Sequence, residues 1–310
     1  MRANMDTQFK KGKGLTLIEL LIALTISAIL IAAIYRTFIG QQKTYTVQEQ
    51  VADMQQNVRV AINRMMREIR MAGFGNVSNI LPPQGQPFEA IHWSGMELIT
   101  FNNIINPSNN KNNVSQNDDQ ITIIGAFEQV STLAVDHSGG KDTIQLVEKA
   151  SEFDTKYRKY ICIGGVESHT IKKIDPAINT ITLNDNLVNK YTAGTPVYKV
   201  KAITYQLRWD NNNPDMPVLT REDNTDGGGS QVVAESIENL QFRYILEDGS
   251  EFDSPAEADR SKIRLVNVKV YARTRIPTIE IRKEGKLVKE EYRRRTISSN
   301  ILVRNMGLNP

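Results

Sequence analysis

The chain falls by pattern into three stretches. From Leu15 to Tyr35 the residues are apolar apart from a few Ser and Thr, and Glu19 is the one charge among them. From Val47 the apolar positions recur in steps of three and four, at Val51, Met54, Val58, Ala61, Ile62, Met65 and Ile69. That is the period of a helix with one buried face. No proline interrupts residues 1–80, so a single helix over about Leu15–Ala72 accommodates both stretches, about 87 Å long at 1.5 Å per residue. Gly40 is its weak point, where a bend is permitted, and Gly73, reinforced by Gly75, is its stop. The first half suits lipid or a helix bundle. The second half suits a covering sheet, with Met54, Met65 and Met66 as ordinary core residues.

Beyond Gly75 the period changes from helical to alternating. Residues 76–120 are rich in Asn, Pro and Gly and read as loops around a strand at Met96–Phe101. Strand-like runs then recur at Gln120–Ile124, Thr143–Val147, Tyr160–Ile163, His169–Ile174, Thr180–Leu183 and Pro196–Val200. Short strands at this spacing predict a small barrel or sandwich, placed at 126–200 as an inserted subdomain. Ala202–Trp209 and Met216–Arg221 flank the turn-forming run Asp210–Asp215. A helical or extended segment, Val232–Leu240, leads into a strand at Gln241–Leu246. In Ile263–Arg273 the residues Val266, Val268, Val270 and Ala272 alternate with Asn267, Lys269, Tyr271 and Arg273, a half-buried strand. Ile263 and Leu265 fall on the other phase and predict a bulge or a doubly buried start. A basic strand, Arg293–Val303, closes the chain. The expected class is α+β: a long N-terminal helix, membrane-spanning over about 15–36, packed on an antiparallel sheet drawn from 73–125 and 201–310.

Composition narrows this little. The 310 residues are 40% hydrophobic and 24% charged with a net charge of +3, ordinary for a folded protein and no bulk argument for nucleic acid. The single cysteine, Cys162, cannot form an intramolecular disulfide, and its apolar neighbours mark it as a buried small side chain.

Glu19 changes the picture most. A carboxylate inside a segment long enough to cross a bilayer is costly, roughly 2.5 kcal/mol or more at a helix centre, so Glu19 points to function. Three readings compete for the N-terminus. A secretory signal would have a shorter apolar core, about 7–15 residues, and a small-residue cleavage site after it. A plain transmembrane anchor fits the length but leaves Glu19 without a reason. In the third, the cut falls before the apolar run. The segment Gly14-Leu15-Thr16-Leu17-Ile18-Glu19-Leu20-Leu21-Ile22-Ala23-Leu24 resembles the N-terminal methylation motif of type IV pilins and type II secretion pseudopilins. The resemblance implies that residues 1–14 are a leader and that prepilin peptidase cuts after Gly14. It implies N-methylation of Leu15, where Phe is usual, and a Glu19 that meets the freed α-amine of a neighbouring subunit and so fixes the axial register. The other role open to Glu19 is capping of its own first turn, where an acid is favoured. Lys10, Lys11 and Lys13 keep the N-terminus cytoplasmic by the positive-inside rule. Together with the resemblance, that implies a single-pass chain in the inner membrane with its body in the periplasm or outside the cell, and in a pilus fibre after assembly.

A second resemblance covers most of the remaining chain. The runs Arg67–Gly75 and Ser236–Tyr244, then Asp248-Gly249, the strand with Arg264 and Val268–Arg273, and the closing Leu302-Val303-Arg304-Asn305 resemble PilW-type minor pilins. This implies a minor pilin that primes pilus assembly or sits in a tip complex. Its partners would be other minor and major pilins, prepilin peptidase, the inner-membrane assembly platform and the bilayer. A J-type pseudopilin of type II secretion shares the coarse pattern and is the alternative. A membrane-anchored adhesion or DNA-uptake module is the alternative of another class.

No catalytic constellation is evident, and neither an enzyme activity nor a cofactor is expected. His92, His137 and His169 lie far apart in the sequence, in no metal-ligand spacing. The groups Glu251, Asp253, Glu257, Asp259 and Glu222, Asp223, Asp226 do not match the calcium-loop pattern and read as solvated acidic loops. Arg293, Arg294 and Arg295, with Arg282, Lys283, Lys286 and Lys289, form a basic hairpin. It reads as a protected strand edge, or alternatively as a patch for DNA or another anionic surface.

Overall fold

A computed structural model describes residues 16–92, 97–111, 114, 118–225, 227, 229–277, 279–283 and 286–306. The chain divides into two units, Met1–Gln50 and Val51–Pro310. The expected helix is present as α1, Leu17–Arg70, unbroken through Gly40 and ending two residues before the expected Ala72. In the first unit its side chains are almost all exposed. In the second, Met54, Val58, Ala61, Ile62, Met65 and Ile69 are buried, the stripe that the three-and-four spacing demands.

The strands are β1 (Phe88–His92), β2 (Glu97–Phe101), β3 (Ile105–Ser108), β4 (Gln120–Thr132), β5 (Thr143–Gln145), β6 (Tyr160–Ile163), β7 (Glu167–Asp175), β8 (Thr180–Leu183) and β9 (Pro196–Trp209). There follow β10 (Pro217–Asp223), β11 (Ser230–Glu235), β12 (Ile237–Leu246), β13 (Glu251–Phe252), β14 (Ile263–Arg273), β15 (Ile279–Lys283), β16 (Lys286–Glu291) and β17 (Arg294–Leu302). Among the described residues, every pairing is antiparallel. One sheet runs β11-β10-β9-β6-β7-β8-β5, with β4 laid between β3 and β9. A second runs β13-β12-β14-β17. Two hairpins, β1–β2 and β15–β16, complete the set.

The main core joins the α1 stripe to both larger sheets. Ile121, Ile123, Ile203, Tyr205 and Leu207 come from one; Leu240, Phe242, Tyr244, Val266, Val268 and Val270 come from the other. In β14 the alternation predicts the inner face residue by residue. The bulge expected at its start is there. Ile245 pairs with Leu265 but Leu246 pairs with Ile263, so one residue of β14 is extra at that point.

Residues 130–197 carry a hydrophobic cluster of their own, including Leu133, Phe153, Ile161, Ile181 and Val197. The boundaries 126 and 200 nevertheless fall inside continuous strands, β4 and β9. A third cluster spans the join, bringing together Ile124, Ala126, Cys162, Val200 and Ala202. The segment is therefore an extension of the same sheet. One expectation changes here, and one open alternative is decided. The gap placed between Val200 and Ala202 is absent, because β9 runs through Lys199 and Lys201 without interruption. The stretch Val232–Leu240 takes the extended form on both sides of Ser236, which at φ +61° divides it between β11 and β12.

Candidate functional site: the N-terminal helix and its seat

Gly14 and Leu15 lie outside the described residues. Thr16 and Glu19 are described, and they close the start of α1 reciprocally. The Glu19 carboxylate accepts from the Thr16 N–H at 2.9 Å and from the Thr16 hydroxyl at 2.8 Å, and the Glu19 N–H donates to the Thr16 hydroxyl oxygen at 3.3 Å. This is a capping box, which satisfies donors that a helix start otherwise leaves open. Of the two roles open to Glu19, the single chain adopts capping. The T-x-x-E spacing that specifies it was present in the sequence, and Thr16 is the residue that the sequence reading passed over.

From Leu20 to Tyr35 the sequence carries no charge. Two threonine hydroxyls in and just past this run are met locally. Thr25 donates to the Leu21 carbonyl at 2.9 Å and Thr37 to the Ala33 carbonyl at 3.0 Å. Such back-bonding lets a hydroxyl sit in an apolar medium without an unpaired donor. Among the described residues, α1 is the one helix long and apolar enough to cross a membrane.

The other end of α1 is seated in the sheet by polar groups. Glu68 accepts from the Arg221 Nε at 2.9 and 3.1 Å and from the Tyr205 hydroxyl at 2.7 Å. Burial, and then the neighbouring Glu68 charge, push the Tyr205 phenol far above its ordinary range. It therefore remains a donor at every physiological pH. The helix then stops at Gly73, φ +79°, whose N–H donates to the Ile124 carbonyl at 2.9 Å. Gly75 sits at φ +92°, and a Cβ there would lie 2.7 Å from the Cys162 Sγ. Its carbonyl accepts from the Ser168 hydroxyl at 2.6 Å. The run Arg67–Gly75 thus joins α1 to β4, β6 and β7 by backbone geometry that only glycine supplies at these two positions.

The remaining candidates disperse. Arg293, Arg294 and Arg295 are exposed, but they do not share a face. Arg294 stands opposite Arg273 and donates to Glu238 at 2.6 Å. Arg295 stands opposite Ala272, on the other side of the sheet. The side chains of Arg282, Lys283, Lys286 and Lys289 lie outside what is described. The acidic group at 222–223 is not a solvated loop. Glu222 and Asp223 belong to β10, where Glu222 accepts from Arg208 at 3.0 Å and from Gln206 at 3.1 Å, and Asp223 accepts from Lys201 at 2.8 Å. Asp226 lies outside the described residues. Glu251 and Asp253 are exposed and both face Arg243, at 3.4 and 3.2 Å.

Cys162 is buried, and burial pushes its thiol up to about 11, the behaviour of an inert core side chain. His169 meets Glu167 at 2.9 Å inside the fold. The side chain of His92 lies outside what is described. Among the described residues no cluster of His, Cys, Asp and Glu has the makings of a metal site.

The prokaryotic N-terminal methylation motif matches residues 9–35. The N-terminal segment is type IV prepilin-like. The match takes in residues 9–14, the Gly14–Leu15 junction, the capping box and the uncharged run. A prepilin-like segment of this kind implies processing by prepilin peptidase and assembly with other pilins, and the exposed apolar part of α1 fits membrane anchoring and incorporation into a fibre. No curated protein and no solved structure matches the chain.

Proposed function

We propose that the chain is a PilW-type minor pilin of a type IV pilus. The subunit waits in the inner membrane with its body outside the cytoplasm and is cut after Gly14 and methylated on Leu15. It then joins other minor pilins in the complex that starts the fibre or caps its tip. It acts by packing and binding, with no bond-making step of its own after processing.

One observation carries this reading: a methylation motif whose single internal carboxylate, Glu19, opens a helix that is apolar and uncovered at its start and buried against a sheet at its end. In the lone subunit Glu19 is occupied by Thr16. After cleavage the new α-amine belongs to the residue just before Thr16. A neighbouring subunit's ammonium then competes with the Thr16 donors for the same carboxylate. In an apolar bundle a charged partner is favoured over neutral donors. The intrasubunit cap thus serves as a holding position, released when subunits align.

The test is made in the native cell. Mass spectrometry of the mature N-terminus should find methyl-leucine at residue 15, and Gly14→Ala should leave uncut precursor; a normal mature mass at normal yield in that variant refutes the assignment. Glu19→Ala should be processed normally yet recovered less in purified minor-pilin complexes. Deleting the chain should reduce surface pili; a loss of type II secretion with piliation intact would assign it to the J-type pseudopilins instead.

A further inference from the structure

We infer that the free edge of β17 accepts an extended segment of a partner protein, apolar at alternate positions and carrying a carboxylate where it passes Arg295. This docking edge is independent of the N-terminal processing described above.

β17 closes one side of the sheet β13-β12-β14-β17. Its register on β14 runs without a shift from Arg273 opposite Arg294 to Leu265 opposite Leu302. Hydrogen bonds just past each end fix the phase of the ladder. The Thr274 N–H donates to the Arg293 carbonyl at 2.9 Å, and the Val303 N–H donates to the Arg264 carbonyl at 2.9 Å. In an antiparallel pair such contacts fall on every second residue. Residues 293, 295, 297, 299, 301 and 303 therefore turn their backbone groups toward β14. Arg294, Thr296, Ser298, Asn300 and Leu302 turn theirs away, and among the described residues these groups meet no backbone partner.

An open edge is a template for another strand, and folds usually blunt it by shortness, bulges, proline or charge. The other end strands of the two larger sheets are blunted in this way. β13 is two residues long, β5 is three, and β11 shifts register on β10 at Leu219/Thr220. β17 spans nine residues, and from Thr296 to Leu302 it has no charge, proline or bulge. Arg294 does not guard it, because its guanidinium reaches across β14 to Glu238 of β12 at 2.6 Å.

The two faces of β17 specify the guest. Ile301 is buried in the main core and Ile297 is covered only in part, so apolar side chains on that face of an added strand complete the cover. The same face carries Arg295, which is exposed and forms no ion pair among the described residues. A carboxylate beside it makes an opposite-charge cross-strand pair. In an antiparallel guest that carboxylate lies near the C-terminal end. A second copy pairing through its own β17 has no carboxylate in that strand to offer.

The experiment uses the full chain in detergent micelles, labelled with ¹⁵N-serine. Amide exchange is followed at Ser298 and Ser299, each assigned by loss of its signal in the alanine variant. The two are adjacent but face opposite ways, so in the free chain Ser299 should exchange slowly and Ser298 fast. The probe is the end-blocked peptide Thr-Val-Thr-Val-Thr-Val-Thr-Glu-Thr, compared with the same peptide carrying Lys in place of Glu. The Glu peptide should slow Ser298 and leave Ser299 unchanged, and about fivefold more of the Lys peptide should be needed for equal slowing. Arg295→Ala, an exposed side chain, should erase that difference. No slowing of Ser298 by the Glu peptide overturns the proposal, and so does an equal response to both peptides. Slow exchange of Ser298 before any peptide is added also overturns it, and a dependence on protein concentration there would assign the edge to a second copy.

Discussion

The two parts of α1 are built from one continuous backbone and meet opposite conditions. Up to Gln50 the side chains are almost all exposed, Ile29 to 71%. From Met54 a stripe of six residues is buried, and Ile69 has no exposed surface. The difference lies in what covers each part. The second part has a stripe because the chain itself supplies two sheets to lie against it. The first part, apolar on every side over Leu20–Tyr35, has no such cover among the described residues, which fits membrane anchoring. An apolar pattern therefore reports how much surface needs cover and from how many sides, but not whose surface provides it.

Substitutions of equal chemistry in the two parts test this most strongly. Ile69→Ala should lower the stability of the body by about 2–5 kcal/mol, the cost of a cavity in a packed core, read from the urea midpoint in micelles. Ile29→Ala should leave that midpoint where it was; a matching loss there would show that the two parts share one core after all. A smaller effect comes from acid. Burial alone would raise the Glu167 carboxyl, but the Val188 N–H, the His169 ring, the Asn189 N–H and the Tyr191 hydroxyl together hold it below the usual carboxylate range. A depressed value means that the unfolded chain takes up the proton first. The contribution is complete above the unfolded value, about 4.3, and fades as pH falls through the folded one. The stability gap between the native chain and Glu167→Gln should thus narrow below about pH 4, while the helicity of the exposed part of α1 holds. The smallest change is Thr16→Ala, which removes the cap at a cost of about 1 kcal/mol. Faster amide exchange in the first turn, with the body's urea midpoint unmoved, is the expected result.

The legible parts of this molecule are those whose cause is local. Spacing alone identified Met54, Val58, Ala61, Ile62, Met65 and Ile69, and alternation identified the inner face of β14. The methylation motif is contiguous, so it is readable without any fold. What escaped is charge that is buried by distant partners. Lys201 falls between the two separate strands read from the sequence, Pro196–Val200 and Ala202–Trp209, yet it and Lys199 are 7% and 4% exposed within one strand. Their carboxylates arrive from elsewhere: Glu152 for Lys199, and Glu128 and Asp223 for Lys201. Glu222 misled for the same reason, since Arg208 faces it from β9. The Glu68–Arg221–Tyr205 contact joins residues up to 153 positions apart, and no window of sequence contains it.

The continuity of β4 and β9 has a mechanical consequence. Both strands leave the main core and run without interruption into the segment between them. A tug on that outlying lobe along their length would drag the two strands together past β3 and β10, loading the flanking ladders in shear. In shear the cross-strand hydrogen bonds yield as a group instead of parting one at a time. A filament component subject to pulling would keep its lobe attached under tension that would peel away a domain hung on a loop.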